Sequence, residues 1–283
     1  MKLHKNRKYL QVALNSTRSE AKEIISKLPL SERILIEAGT PLIKAYGRQA
    51  ILSLREYITE QILGPKAVRK EGADINSLIK IIKESKKRDY YPPSTLQSHH
   101  PPKKEEVNWK SLLFKEGEKS PLPFEPYIVA DLKCMDLAVR EVRIATEAGA
   151  NAATCLGQAP IEAIDRFIEE CQKYNLDSMI DMMNLENPIL TLRKLKKLPN
   201  IVILHRGVDE TKKNREKQIP WYQIQQIKGN YNDVLVSVAG GDTIKEIQSA
   251  IFNDADIVVL WKAFYRSTAK TTKLAKQFLE EIR

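Results

Sequence analysis

The chain has 283 residues, with 46 Lys and Arg against 36 Asp and Glu for a formal net charge of +10, and 42% hydrophobic residues. That is enough apolar material for one large core or two modest ones, which excludes an intrinsically disordered chain. The basic start from Met1 to Lys8 is followed by only six residues before the polar Asn15, and nothing approaches the roughly 18 apolar residues of a membrane span, so neither secretion nor a membrane span is expected.

Three cysteines, Cys134, Cys155 and Cys171, are odd in number and widely spaced. They suggest neither a disulfide framework nor a zinc cluster, and the reducing cytoplasm is the expected compartment. The positive charge is spread along the chain, as on a solvated surface; attraction of a phosphate is the functional alternative.

Short β-rich runs alternate with longer helical patterns. The first unit is Tyr9 to Leu14, an amphipathic stretch from Ser19 to Leu28, then Ile34-Leu35-Ile36. The rhythm resumes at Tyr127 to Ala130, a helix from Leu137 to Ala148, Ala152 to Leu156, a helix from Ile161 to Tyr174, and Ser178-Met179-Ile180. It continues with a helix from Ile189 to Lys197, Ile201 to Leu204, a helical piece from Trp221 to Ile227, Val234 to Val238, a helix from Ile244 to Phe252, Ile257 to Leu260, and a last helix from Thr271 to Ile282. Eight apolar strands, each followed by a helix, predict a (β/α)₈ TIM barrel as a single domain, because near-continuous apolar strands are what a helix-covered parallel sheet requires. No glycine loop of the dinucleotide-binding type follows the first strand.

One segment breaks the rhythm. Residues 64–123 are Pro-rich and charged, with 13 Lys and Arg against 8 Asp and Glu, one helical pattern from Ile75 to Lys87, and a small apolar patch at Trp109, Leu112, Leu113 and Phe114. They read as an insertion between the second helix and the third strand, on the N-terminal face of the barrel and away from its own catalytic mouth. The pair His99 and His100 lies inside it with no second ligand cluster nearby in sequence, and reads as a loop pair rather than a metal site. Its basic residues are interleaved with Tyr90, Tyr91, Trp109 and Phe114, a pattern able to follow a nucleic-acid backbone and stack bases.

In a barrel of this kind functional residues stand where strands finish. Strand one ends at Asn15, strand two at Glu37, strand three at Asp131 with Lys133 and Asp136 just beyond, strand five at Asp181, strand six at His205 and Arg206, and strand seven at Gly240 and Gly241. Asp131 and Lys133 are two apart, so on a strand they face one side and place a carboxylate and an ammonium in one enclosed space. Such a lysine is held ready as a proton donor or as a partner for negative charge.

The run Ala130-Asp131-Leu132-Lys133-x-x-Asp136 resembles the D-x-K-x-x-D motif of the orotidine 5′-phosphate decarboxylase superfamily. Leu10 to Leu14, Glu37 to Lys44, Glu147 to Ala150, Asp181-x-x-Asn184-x-Glu186-Asn187-Pro188, His205 to Asp209, and Val238 to Gly241 narrow the resemblance to the branch of hexulose-6-phosphate synthases and 3-keto-gulonate-6-phosphate decarboxylases. It extends over nearly all of the chain outside the insertion. It implies a homodimeric barrel with shared active sites that takes a phosphorylated keto sugar and Mg²⁺. By that resemblance Glu37 and Asp131 hold the metal and a cis-enediolate forms by aldol cleavage or decarboxylation. Lys133 stabilises that intermediate, Asp136 reaches the neighbouring subunit's site, His205 and Arg206 contact or protonate the intermediate, and Asp181 orders these groups or binds hydroxyls. Hard dications do prefer carboxylate oxygens and retain water, and can neutralise vicinal oxygens.

Two positions depart from the branch. Asn15 stands where relatives carry Asp, which replaces a pure acceptor with an amide. Leu260-Trp261-Lys262 replaces Val-Gly-Arg, exchanging a guanidinium fork for a point charge and a backbone approach for an indole. Gly240 and Gly241 still offer close backbone approach to a phosphate. The expected activity is therefore a Mg²⁺-dependent sugar-phosphate lyase of the synthase kind, joining formaldehyde and ribulose 5-phosphate. A decarboxylase-like or related enzyme with an altered substrate is the alternative. A barrel retained as a scaffold, whose basic insertion binds RNA or a protein, is the third reading.

Overall fold

Eight parallel strands hydrogen-bond in chain order and close on themselves, β1 pairing with both β2 and β8. The computed structural model describes residues 1–64, 122–214, 219, 221–241, 243–261 and 271–282. In order the elements are β1 (Tyr9–Leu14), α1 (Arg18–Lys27), β2 (Ile34–Ala38), α2 (Thr40–Tyr46), α3 (Arg48–Leu63), β3 (Tyr127–Cys134), α4 (Ala138–Glu147), β4 (Ala152–Leu156), α5 (Ile161–Lys173) and β5 (Asp177–Asp181). There follow α6 (Pro188–Leu192), β6 (Ile201–His205), α7 (Val208–Lys213), α8 (Trp221–Asn230), β7 (Leu235–Ala239), α9 (Ile244–Phe252), β8 (Ile257–Leu260) and α10 (Thr271–Glu281). This is the predicted TIM barrel. No described helix is long and apolar enough to cross a membrane.

Strand side chains alternate between two packed layers, as a pleated backbone dictates. Leu10, Val12 and Leu14 of β1, with Ile34 and Ile36 of β2, pack outward against helix residues such as Ile24, Ile25, Leu54 and Phe278. Tyr9 and Ala13 of β1 turn inward to join Leu35, Tyr127, Val129, Ala152, Met179, Ile201, Ile203, Leu235, Ile257 and Val259. Both faces are therefore dry, which is why the strands lack a polar alternation. At the N-terminal end Leu3 closes this inner cluster. The Lys2 amide and the Tyr127 hydroxyl donate to the buried Asp177 carboxylate, at 2.9 and 2.8 Å, so the barrel has a floor and opens at the strand C-termini.

The connection after β2 is two helices, and the long α3 is anchored by a buried arginine. Arg55 donates to the carbonyls of Pro126 and Gly149 and to the Asn151 side chain, tying the helix to the starts of β3 and β4. The predicted insertion falls between these anchored elements. Its residues 65–121, with the expected helix from Ile75 to Lys87, His99, His100 and the aromatic residues, lie outside the described residues. The helix expected from Ile189 to Lys197 stops at Leu192. Arg193, Lys194, Lys196 and Lys197 would crowd like charges on its last turns, and the Lys196 amide instead donates to Asp165 on α5 at 2.9 Å.

Candidate active site

The inward-facing phase of the strands, apolar through the barrel's middle apart from Gln11 and Ser237, turns polar at the open end. Glu37 of β2, Asp131 of β3, Thr154 of β4, Asp181 of β5 and His205 of β6 continue the rows occupied below by Leu35, Val129, Ala152, Met179 and Ile203. Glu37 is 7% exposed and Asp181 1%, so their charges sit in a low-dielectric space and must find partners there.

Lys133 is the centre of the arrangement. Its ammonium lies 3.3 Å from Asp131 Oδ1 and 2.9 Å from Asp181 Oδ2. Burial works against its charge, but the two carboxylates outweigh burial and raise its pKa. Asp181 Oδ2 also meets His205 Nδ1 at 2.8 Å, while Oδ1 accepts from the Met183 amide at 3.0 Å. Burial alone would raise the Asp181 pKa; the hydrogen bond and charge of His205, with the Lys133 ammonium, hold it down to about 2. In return Asp181 raises His205, against the effect of burial. With a carboxylate opposite, Nδ1 carries the ring proton, which leaves Nε2 as the nitrogen for proton traffic.

Glu37 sits on the other side of Asp131 and behaves differently. Burial, followed by the nearby negative charge of Asp131, pushes its pKa up to about 7 despite a hydrogen bond from Gln11 and the positive charge of Lys133. Two carboxylates thus face one space and repel, which is the electrostatic situation a divalent cation relieves. Among the described residues no three His, Cys, Asp or Glu side chains converge as a metal cage. The donor set fits a hard cation held by one or two carboxylates and completed by water and substrate oxygens, the habit of Mg²⁺ rather than of zinc.

Two residues that the sequence did not single out bind Asp131. Thr40, at the start of α2, donates its hydroxyl to Asp131 Oδ2 at 2.7 Å. Thr154 donates to Asp131 Oδ1 at 2.8 Å. The available signal was a hydroxyl at an inward position in an otherwise apolar strand, Ala152-Ala153-Thr154-Cys155-Leu156.

Of the remaining predicted residues, all but Lys262 are among the described ones. Asn15 lies against Gly39, where any Cβ would collide with its amide. Arg206 turns along the rim: its guanidinium donates to the Gly240 carbonyl at 3.1 Å and meets Glu246 of α9 at 3.2 Å. Glu246 also accepts from Thr243 as the capping box of α9, so one carboxylate ties the end of β6 to the loop after β7. Gly240 has φ +100°, and a Cβ there would strike the Arg206 carbonyl, so only glycine fits. Gly241 packs against Glu246. Trp261 is half-buried and packs on the inner cluster at the mouth of β8. Lys262 lies outside the described residues. Asp136 is exposed and accepts from the Leu137 amide at 2.7 Å, and it takes no part in the Asp131–Lys133–Asp181 contacts.

The profile of the orotidine 5′-phosphate decarboxylase / HUMPS family matches residues 125–276, more than half of the chain. The chain belongs to this family. A bifunctional enzyme Fae/Hps of Methanocella arvoryzae is 30% identical over 258 residues, covering 90% of this chain and 48% of that protein. The chain thus spans about half the length of the curated relatives it matches. Among solved structures, a 3-hexulose-6-phosphate synthase superposes with a TM-score of 0.65 at 22% identity, over 97% of this chain and 100% of that one. The 3-hexulose-6-phosphate synthase of Salmonella typhimurium gives 0.64 at 18%, over 97% and 98%. These two establish likeness of fold, and the family assignment rests on the profile match.

Proposed function

We propose that this family member is a carbon–carbon lyase acting on a phosphorylated keto sugar through an enediolate, in the manner of a hexulose-6-phosphate synthase. The observation that carries the reading is the Lys133 ammonium bracketed by Asp131 and Asp181 beside a destabilised Glu37. A fixed cation in a water-poor cleft stabilises negative charge developing on a substrate oxygen better than a solvated one does, because no solvent has to reorganise. In the synthase direction a proton leaves C1 of ribulose 5-phosphate, the resulting enediolate carbon attacks formaldehyde, and the new alkoxide takes up a proton. Lys133 balances the enediolate charge, and His205, oriented by Asp181, moves the proton at Nε2. Glu37 and Asp131 would hold Mg²⁺, which when bound supplies positive charge to vicinal substrate oxygens. Synthase chemistry is favoured over decarboxylation because the bifunctional relatives of Methanocella arvoryzae and Methanothrix thermoacetophila, about half of whose length this chain spans, carry Hps in their name.

Asp136 reads as a contribution to a second copy's site. It is exposed beside Met135, Leu137 and Val139, which are 43%, 65% and 42% exposed and would be covered in a dimer. One observation favours a second substrate choice: Trp261 packs on the inner cluster just after β8, where the resemblance to this branch implies a glycine beside the phosphate. A phosphate there would have to move toward Gly240 and Arg206, or be missing from the substrate.

The test is turnover of ribulose 5-phosphate with formaldehyde, with and without Mg²⁺, beside thermal-shift profiles over sugar phosphates and non-phosphorylated keto acids. Turnover lost in Lys133→Ala supports the synthase reading. Stabilisation by non-phosphorylated compounds alone supports the altered substrate. Turnover that survives Lys133→Ala defeats both.

A further inference from the structure

β3 and β4 pair regularly at Val129 with Ala152 and at Ala130 with Ala153, then again at Cys134 with Cys155. Between these points β3 has three residues, Asp131, Leu132 and Lys133, and β4 has one, Thr154. The bulge therefore contains one acidic and one basic residue of the site, Asp131 and Lys133, and a single buried threonine of β4 faces it. Lys133 takes φ +47°, a left-handed conformation that costs a residue with a Cβ and persists only where its surroundings impose it. Its amide leaves the ladder and donates to Thr154 Oγ1 at 3.0 Å, while the same hydroxyl donates to Asp131 Oδ1 at 2.8 Å.

We propose that Thr154 is the positioning residue of this site: its hydroxyl, accepting from the Lys133 backbone and donating to the Asp131 carboxylate, sets the bulge that aims the Asp131 and Lys133 side chains at one point. The inference deepens the lyase reading, since it says how the stabilising cation is placed, but the placement itself is independent of the substrate. Thr40 does not substitute for it. That residue's hydroxyl and amide reach Asp131 alone and make no bond to Lys133. A valine at 154 has nearly the same shape as threonine and packs in a β-strand, so its effect isolates the hydroxyl.

The experiment compares Thr154→Val and Thr154→Ser with the wild type, each first shown to be folded by its thermal midpoint. Amide hydrogen exchange at Lys133, read by NMR, should quicken at least about tenfold in Thr154→Val and stay near wild type in Thr154→Ser. With ribulose 5-phosphate and formaldehyde, Thr154→Val should lose on the order of 100-fold in kcat with KM within about threefold, because a misaimed charge is felt in the transition state. Thr154→Ser should recover to within about threefold of wild type. A Lys133 amide as protected in Thr154→Val as in wild type overturns the proposal, as does a serine variant as impaired as the valine one. Absence of turnover in the wild type would count against the lyase reading, while the exchange measurement still decides the placement.

Discussion

At the scale of single residues the unusual group is Glu37, a carboxyl that keeps its proton to about pH 7. An unfolded chain releases that proton near 4.5. Its contribution to stability is thus complete below 4.5 and is lost as pH rises from there through about 7, above which Glu37 is ionised in both states and nothing further changes. Glu37→Gln should stabilise the metal-free protein at about pH 8 by on the order of 1–3 kcal/mol, and by next to nothing at about pH 4. Denaturant midpoints at the two pH values measure this. Addition of Mg²⁺ should reverse the order at high pH, raising the wild type's midpoint and leaving the variant's unchanged. A variant no more stable than wild type at high pH would remove the electrostatic argument for a cation at this position.

At the scale of elements, the barrel joins a helix and a strand that are far apart in sequence. Arg55 of α3 reaches Pro126, Gly149 and Asn151 across 71 to 96 residues of chain, and burial brings even its guanidinium down to about 10. Removing it takes a donor from the buried Pro126 and Gly149 carbonyls and from Asn151 Oδ1, which keeps only the Ile128 amide. Arg55→Leu should therefore cost about 3 kcal/mol by chemical denaturation. The loss should appear wholly in stability, since none of these partners touches the Lys133 cluster. The same scale explains which element boundaries were readable. β strands were evident because an apolar run bounded by polar or Gly and Pro residues is a local pattern. The early end of α6 was not, because it depends on Asp165, which belongs to a different helix.

For the whole molecule, the exposed run Met135, Asp136, Leu137 and Val139 at the top of β3 decides whether one chain suffices. If two copies share their sites, Leu137→Asp should yield a monomer by sedimentation and lose turnover together with it. Mixing inactive Asp136→Asn with inactive His205→Asn should restore up to roughly a quarter of wild-type activity through hybrid dimers, each with one intact site. No recovery on mixing would place Asp136 in its own chain's site and overturn the sharing of sites between copies. The candidate site was readable to a similar extent: Glu37, Asp131, Lys133, Asp181 and His205 are strand-end residues on the inward phase, and the structure brings them together. Thr40, Thr154, Gln11 and Glu246 were not singled out, because hydroxyl, amide and carboxylate side chains acquire a role only from what faces them.

The sequence alone determined the eight-fold alternation of strand and helix and the polar rim. Both follow from periodicity, from the requirement that apolar strands be covered on two faces, and from the position of each polar residue within its own strand. Tertiary structure decided which strand ends meet and what their charges become. It set the three-against-one bulge opposite Thr154, the proton retained by Glu37, the attachment of Arg206 to Glu246 and the inward packing of Trp261. Each of these depends on a neighbour remote in the chain and on exclusion of water from the space between them, and neither is written in the order of the residues.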